Sequence, residues 1–201
     1  MLPRIYPITD TRLSGLTHAE QVRRLAEGGA QMIQLREKRA SPREFYEAAI
    51  EAVALARTLG VGIIINDRVD IAIAVEADGV HLGQDDLPVE EARRLIGPDK
   101  FIGFSTHTLK QALEADLLAV DYIAIGPVFG TSTKGNPDPV TGLEMVREVK
   151  QRITKPLVAI GGITLERASS VFDAGADSLA IISDLYSTGD IAARMRSLLA
   201  I

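Results

Sequence analysis

Met32-Ile33-Gln34-Leu35-Arg36-Glu37-Lys38, a segment from Ser41 to Leu59, and then Val61-Gly62-Ile63-Ile64-Ile65-Asn66-Asp67 pass from strand period to helix period and back to strand. In the middle segment Phe45, Ala48, Ala49, Ala52, Leu55, Ala56 and Leu59 fall on one stripe at a 3.6-residue period, the mark of an amphipathic helix lying on a sheet. A strand, a long helix and a second strand in this order specify parallel pairing through a right-handed crossover.

The same unit recurs on both sides. Short β-rich runs stand at Ile5 to Ile8, Met32 to Leu35, Val61 to Ile65, Val80 to Leu82, Phe101 to Phe104, Tyr122 to Ile125, Leu157 to Ile160 and Ser178 to Ile182, eight in all. Helix starts are marked by a hydroxyl three residues before a glutamate, at Thr17 with Glu20, Ser41 with Glu44 and Thr141 with Glu144. Pro42 and Pro88 suit first-turn positions, where a missing N–H costs nothing. Helix exits repeat as Gly29 to Met32, Ala77 to Val80, Val120 to Ile123 and Gly175 to Ser178, each reading as a tight αβ turn. Alternating strands and helices leave an open doubly wound sheet or a closed barrel; eight units within residues 1–201 favour one (β/α)8 TIM barrel of parallel strands.

Bulk properties narrow the partners. The formal net charge of −5 argues against a nucleic acid or an anionic membrane, so an anionic small-molecule substrate must be met by local cations. There are no cysteines, which removes thiol nucleophiles, disulfides and cysteine-ligated zinc and fits a cytoplasmic protein. No basic leader precedes the first strand and no apolar run reaches about 18 residues, so the chain is expected to be soluble and unprocessed. Whether it forms a homo-oligomer is left open.

In a (β/α)8 barrel the loops after the strands carry function. Gln34, Arg36 and Lys38 share one face at strand period two, which puts an amide and two cations at the mouth; the competing reading is a solvated ion-pair ladder. Ile63 to Asp67 and His81 to Asp86 each run from apolar strand into carboxylate. Asp67 and Asp86 at adjacent strand ends suit Mg²⁺, which takes one or two protein oxygens beside substrate phosphates, or they cap the following helices. Ser105 can bond a substrate heteroatom, or it, Thr106 or Thr108 can cap the next helix. His107, without an evident partner, reads as structural. Gly126 to Lys134 brings hydroxyls and a cation, and the connection Gly130 to Pro139 reads as a candidate lid. After strands seven and eight, Gly161-Gly162-Ile163-Thr164 and Ile182-Ser183 offer main-chain amides where such barrels bind a phosphomonoester.

Taken in order, Tyr6-Pro7-Ile8-Thr9-Asp10, Gln34 to Lys38, Asn66-Asp67-Arg68-Val69-Asp70, His81 to Asp86, Gly126 to Lys134 and Gly161 to Thr164 closely resemble the thiamine-phosphate synthase family, over nearly the whole chain. The resemblance implies an Mg²⁺-dependent transferase that joins 4-amino-2-methyl-5-(diphosphooxymethyl)pyrimidine to 4-methyl-5-(2-phosphoethyl)thiazole, or its carboxylate, with release of diphosphate. It implies that Gln34, Arg36, Lys38, Asn66 and Lys134 bind the pyrimidine diphosphate, with Arg36 and Lys134 stabilising the leaving group and no residue acting as nucleophile. It further implies that Asp67 and Asp86 ligate Mg²⁺, that Ser105 contacts the aminopyrimidine, that Thr131 and Thr133 face the thiazole, and that Gly162, Ile182 and Ser183 hold the thiazole phosphate. Three positions depart from what the family leads one to expect: Gly130 where proline is common, Phe104 where a smaller residue is, and Asp184 where alanine is frequent. These raise questions of loop rigidity and pocket volume. Two rivals are a thiazole tautomerase-like barrel, which usually lacks the carboxylates and the Thr-x-Thr-Lys run, and a non-catalytic phosphate-sensing barrel, which needs no second anion site.

Overall fold

The computed structural model describes residues 2–131 and 139–201. Eight strands, β1 (Ile5–Pro7), β2 (Met32–Leu35), β3 (Gly62–Asn66), β4 (Gly79–Leu82), β5 (Phe101–Thr106), β6 (Tyr122–Ile125), β7 (Leu157–Ile160) and β8 (Ser178–Ile181), form one sheet in the order β1-β8-β7-β6-β5-β4-β3-β2. Every pairing is parallel. The two ends of this order meet through a parallel bridge between Ile8 and Gln34, backed by the Thr9 N–H donating to the Gln34 main-chain carbonyl at 2.9 Å, so the sheet closes into a (β/α)8 barrel.

Helices α2 (His18–Glu27), α3 (Pro42–Leu59), α4 (Val69–Ala74), α5 (Val89–Ile96), α6 (Leu109–Asp116), α7 (Gly142–Lys150), α8 (Leu165–Asp173) and α9 (Ile191–Leu199) surround the barrel, and a short turn of helix, α1 (Thr11–Ser14), follows β1. Thr17 and Ser41 both form complete capping boxes with Glu20 and Glu44, and Pro42 opens α3. The buried stripe of α3 is Phe45, Ala49, Ala52, Val53 and Ala56, while Leu59 is exposed at the last turn. Two expected caps differ. Thr141 gives α7 no side-chain cap: it stands in helical backbone, φ −86 and ψ −31, not in the extended backbone of a cap, and its hydroxyl donates to the Pro127 carbonyl at 3.1 Å. Pro88 precedes α5 in extended backbone instead of entering its first turn.

The repeated αβ turns have a shared cause. Asp78, Asp121 and Asp177, each just before an even-numbered strand, accept a 2.7 Å hydrogen bond from the first or second residue of the preceding strand, at Ile63, Ile102 and Leu157. Each carboxylate thus satisfies a strand-end N–H at the floor of the barrel and fixes register across one strand pair.

The core has two parts. The larger lies between sheet and helices; the smaller fills the barrel with Tyr6, Ile8, Met32, Ile64, Tyr122, Ala124, Val158 and Ala180. Tyr122 reaches across the interior because Gly103 beside it has no side chain: a Cβ there would stand 2.0 Å from the Tyr122 ring. Phe104 packs on the outer core, away from the mouth, so it does not reduce the pocket. A side chain at Gly130 would meet open space.

Candidate active site

Gln34 is buried near the end of β2 and donates from Nε2 to the Tyr6 hydroxyl at 3.1 Å. Past the strand, the Arg36 N–H donates to Thr9 Oγ1 at 3.2 Å and its guanidinium lies 3.3 Å from Asp10, so the cation is held at the rim. Lys38 is ion-paired with Asp67 across the mouth. Glu37 points the other way, accepting from the Thr11 hydroxyl and from the N–H groups of Lys38, Arg39 and Ala40. Burial opposes its ionisation, yet these donors bring its pKa below the ordinary value. The stretch is therefore a folded rim and not a solvated ladder.

Asp67 has φ 63, a left-handed conformation that costs a non-glycine residue energy and is found where surrounding structure enforces it. Its N–H donates to the His81 carbonyl at 2.8 Å. Asp86 accepts from the Gly83 N–H at 2.7 Å. Neither caps a helix, since α4 starts behind Arg68 and α5 behind Pro88. Burial raises the pKa of Asp86, and the negative charge of Asp67 raises it further, so the two carboxylates face one space. Asn66, 7% exposed, leaves Nδ2 buried without a hydrogen-bond partner. Among the described residues no group of three or more His, Asp or Glu side chains gathers as a metal cluster.

On the far side, Gly161 (φ 100) and Gly162 (φ 61) need left-handed backbone, and a Cβ on Gly162 would lie 2.5 Å from the Gly130 carbonyl oxygen. Ile182 and Ser183 follow β8, Ser183 opening a 3-10 turn that ends at Tyr186. The Asp184 side chain, buried in that turn, accepts from the Leu165 N–H at 3.1 Å and pairs with both Nε and Nη2 of Arg194 at 2.9 and 2.7 Å. This departure is an internal brace between β8, α8 and α9.

One cavity of about 490 Å³ at the C-terminal mouth of the barrel gathers Gln34, Arg36, Lys38, Asn66, Asp67, Asp86, Ser105, Thr131, Gly162, Ile182 and Ser183. These are all the expected site residues except Thr133 and Lys134, which lie outside the described residues, as does most of the connection Gly130 to Pro139. A larger hollow of about 1060 Å³ lies beside it, between residues 10–18, the rim 36–40 and the start of α3. It lacks Asp67, Asp86 and the β7 and β8 loops, so the mouth is the candidate site.

Ser105 is free of helix capping, which falls to Thr108. Its hydroxyl instead meets His81 Nε2 at 2.8 Å, and Gln84 donates to its carbonyl at 2.6 Å. His107 contacts the Gly126 carbonyl at 2.6 Å and also borders the cavity. His81, Tyr6 and Tyr122 went unread as site residues. The alternation of β4 and β6 puts His81 and Tyr122 inside the barrel, but only the fold shows that they meet.

His18 is buried with Nδ1 2.8 Å from the Thr9 hydroxyl and Nε2 unpartnered, 3.7 Å from Glu37. Burial lowers its pKa from 6.5 more than Glu37 raises it. The folded state thus takes up a proton less readily than the unfolded chain. This contribution to stability is full above the unfolded value of 6.5 and is lost as pH falls through the lower folded value. Urea unfolding at pH 7 and pH 5 should show a weaker fold at pH 5, and His18→Gln should flatten that dependence; an unchanged slope in the variant removes His18 as a cause.

A parallel (β/α)8 barrel whose mouth joins a cation- and carboxylate-lined half to a glycine-amide half defines a barrel enzyme for anionic small molecules. The family model for thiamine monophosphate synthase matches residues 5–185, and the chain belongs to that family. A thiamine-phosphate synthase of Syntrophomonas wolfei is 47% identical over 96% of this chain and 93% of its own. Another from Chloroflexus aurantiacus is 46% identical over 98% and 92%. Among solved structures, a thiamine phosphate pyrophosphorylase from Pyrococcus furiosus superposes with a TM-score of 0.87 at 40% identity, covering 97% of this chain and 93% of that one. No helix among the described residues is long and apolar enough to cross a membrane.

Proposed function

We propose that residues 1–201 form one catalytic barrel that joins 4-amino-2-methyl-5-(diphosphooxymethyl)pyrimidine to 4-methyl-5-(2-phosphoethyl)thiazole, or its carboxylate, in the cytoplasm. The observation that carries this reading is the convergence of Arg36, Lys38, Asn66, Asp67 and Asp86 on one side of a mouth whose other side is Gly162, Ile182 and Ser183. Two anion sites of unequal charge suit a diphosphate and a phosphomonoester.

In the reaction the C–O bond between the pyrimidine's methylene and diphosphate breaks, the electron pair leaving with the diphosphate. The thiazole nitrogen's lone pair then forms the new C–N bond to the methylene carbon. No side-chain nucleophile is needed; the uncarboxylated thiazole requires no proton transfer, whereas with its carboxylate, carbon dioxide leaves and a proton takes its place. Arg36 and Lys134, with Lys38 beside them in this reading, stabilise the negative charge that grows on the departing oxygens, and the unpartnered Asn66 amide supplies a donor to the same anion. The barrel interior keeps water from the cationic carbon.

The donor set fits Mg²⁺: two hard carboxylate oxygens, one with its pKa raised by burial and by the other, want a cation between them. Asp67 and Asp86 would hold it, and it would supply charge neutralisation at the leaving diphosphate. The Lys38 ammonium now beside Asp67 would then turn to the phosphates.

Incubation of the purified protein with both substrates and Mg²⁺ should yield thiamine phosphate and diphosphate by mass spectrometry, and EDTA should abolish both. Isomerisation of the thiazole carboxylate without coupling would select the tautomerase reading. Binding of a phosphomonoester with no turnover at all would select the sensor.

A further inference from the structure

Five side chains from five strands form an unbroken hydrogen-bonded chain through the barrel interior. Gln34 Nε2 donates to the Tyr6 hydroxyl at 3.1 Å, that hydroxyl lies 3.0 Å from the Tyr122 hydroxyl, Tyr122 lies 3.0 Å from His81 Nδ1, and His81 Nε2 lies 2.8 Å from Ser105 Oγ. Tyr6 and Tyr122 are 1% exposed, Gln34 2% and His81 7%, so no bulk water exchanges partners with these links. His81 borders the cavity, but both its ring nitrogens are engaged within the chain, so the two ends, Gln34 and Ser105, are what the chain offers a ligand as polar contacts.

Hydrogen accounting sets the direction. Each tyrosine has one hydrogen to give. Tyr6 accepts from Gln34, so its own hydrogen goes to Tyr122; were it also to accept from Tyr122, it would keep a buried donor without an acceptor. Tyr122 therefore gives its hydrogen to His81 Nδ1. A neutral ring that accepts at Nδ1 carries its hydrogen on Nε2 and donates it to Ser105. The Ser105 hydrogen is then left for the mouth, as is the Gln34 side-chain carbonyl oxygen. Reversing one link reverses all of them, so the Ser105 hydrogen and the Gln34 carbonyl oxygen are offered to the mouth together or withdrawn together; in the stated direction Gln34 also keeps the second hydrogen of Nε2.

We propose that this chain makes the mouth a reader of hydrogen-bond polarity, with Ser105 as donor and the Gln34 side-chain carbonyl as acceptor, selective for a ring edge that carries an acceptor nitrogen beside an amino group. His81, Tyr122 and Tyr6 are positioning residues in this scheme; only Ser105 and Gln34 touch the ring. The inference rests on the reading above that an aminopyrimidine enters this site. A 4-oxo pyrimidine presents the inverted edge, a ring N–H beside a carbonyl, and mismatches both the Ser105 hydrogen and the Gln34 carbonyl oxygen.

Two measurements test it. In the protein labelled with ¹⁵N histidine, the His81 resonances should show a bare Nδ1 and a protonated Nε2 at neutral pH; the opposite tautomer overturns the stated direction. Steady-state kinetics should then compare the 4-amino and 4-oxo pyrimidine diphosphates in wild type, Tyr122→Phe and Tyr6→Phe, each variant cutting the chain at a different link without removing a ring. The preference for the amino substrate in kcat/KM should fall at least tenfold in both variants, with the KM for the thiazole phosphate changed less than twofold. Taking each preference as a ratio cancels the intrinsic reactivity of the two rings. An unchanged preference in both variants overturns the proposal while coupling activity persists, whereas absence of thiamine phosphate in wild type overturns the functional reading itself.

Discussion

Asparagine in place of Asp67 is expected to lower kcat by ~10²–10³-fold with Mg²⁺ present, while the melting temperature stays near that of the parent. The choice of asparagine matters because Asp67 sits at φ 63. Asparagine tolerates the left-handed region, whereas alanine there adds backbone strain of about 1–2 kcal/mol that would blur any loss of activity with loss of fold. The ion pair with Lys38 is a poor source of stability, since the lysine is 50% exposed, and such pairs are worth ~0–1 kcal/mol. What the substituted amide cannot do is supply the second negative charge beside Asp86. With one of the two negative charges gone, the pair should bind a cation more weakly, so the variant's residual rate should need more Mg²⁺ for half-saturation. Wild-type turnover in Asp67→Asn at ordinary Mg²⁺ would remove the metal assignment and leave Lys38 as the partner that Asp67 exists to hold.

The strand and helix pattern was legible because each barrel unit is local: β2, β6 and β7 occupy the expected residues, and the other strands differ by one or two residues at their ends. Convergence on one mouth was legible too for the described residues, since a barrel puts every post-strand loop at one end, so polar residues distant in sequence need only occupy the right place in their own unit. What sequence could not supply was contact across the interior. Tyr6 and Tyr122 are 116 positions apart, and their hydroxyls meet at 3.0 Å only because Gly103 leaves the space. The Thr141 reading failed for the same kind of reason. A hydroxyl three residues before Glu144 is a local signal, but the Pro127 carbonyl accepts both the N–H and the hydroxyl of Thr141, at 2.8 and 3.1 Å, and the residue stands in helical backbone instead of the extended backbone of a cap. Local rules held where neighbours in sequence were the only available partners. Asp184 belongs with the failures of local reading: alone in sequence it is a departure beside a phosphate site, a place for which a carboxylate is ill suited.

The structure answers that objection through Arg194, and the answer gives the second large effect. Arg194→Ala should destabilise the fold by about 3 kcal/mol, since removing one member of a buried pair strands the other's charge. The side chains of Asp184 and Arg194 are 5% and 12% exposed, and without the guanidinium Asp184 keeps only the Leu165 N–H. For a chain of this size that corresponds to a fall of roughly 6–12 °C in melting temperature. Uncompensated, the same carboxylate would repel a phosphomonoester at the proposed site beside Ile182 and Ser183, so the KM for the thiazole phosphate should rise while that for the pyrimidine diphosphate changes little. The decisive variant is the double one. Asp184→Ala with Arg194→Ala removes both charges and should be more stable than Arg194→Ala alone, because the cost in the single variant is the stranded charge and not the lost attraction. A double variant less stable than the single one would mean that Arg194 acts through packing, and that Asp184 needs no partner to sit beside the phosphate.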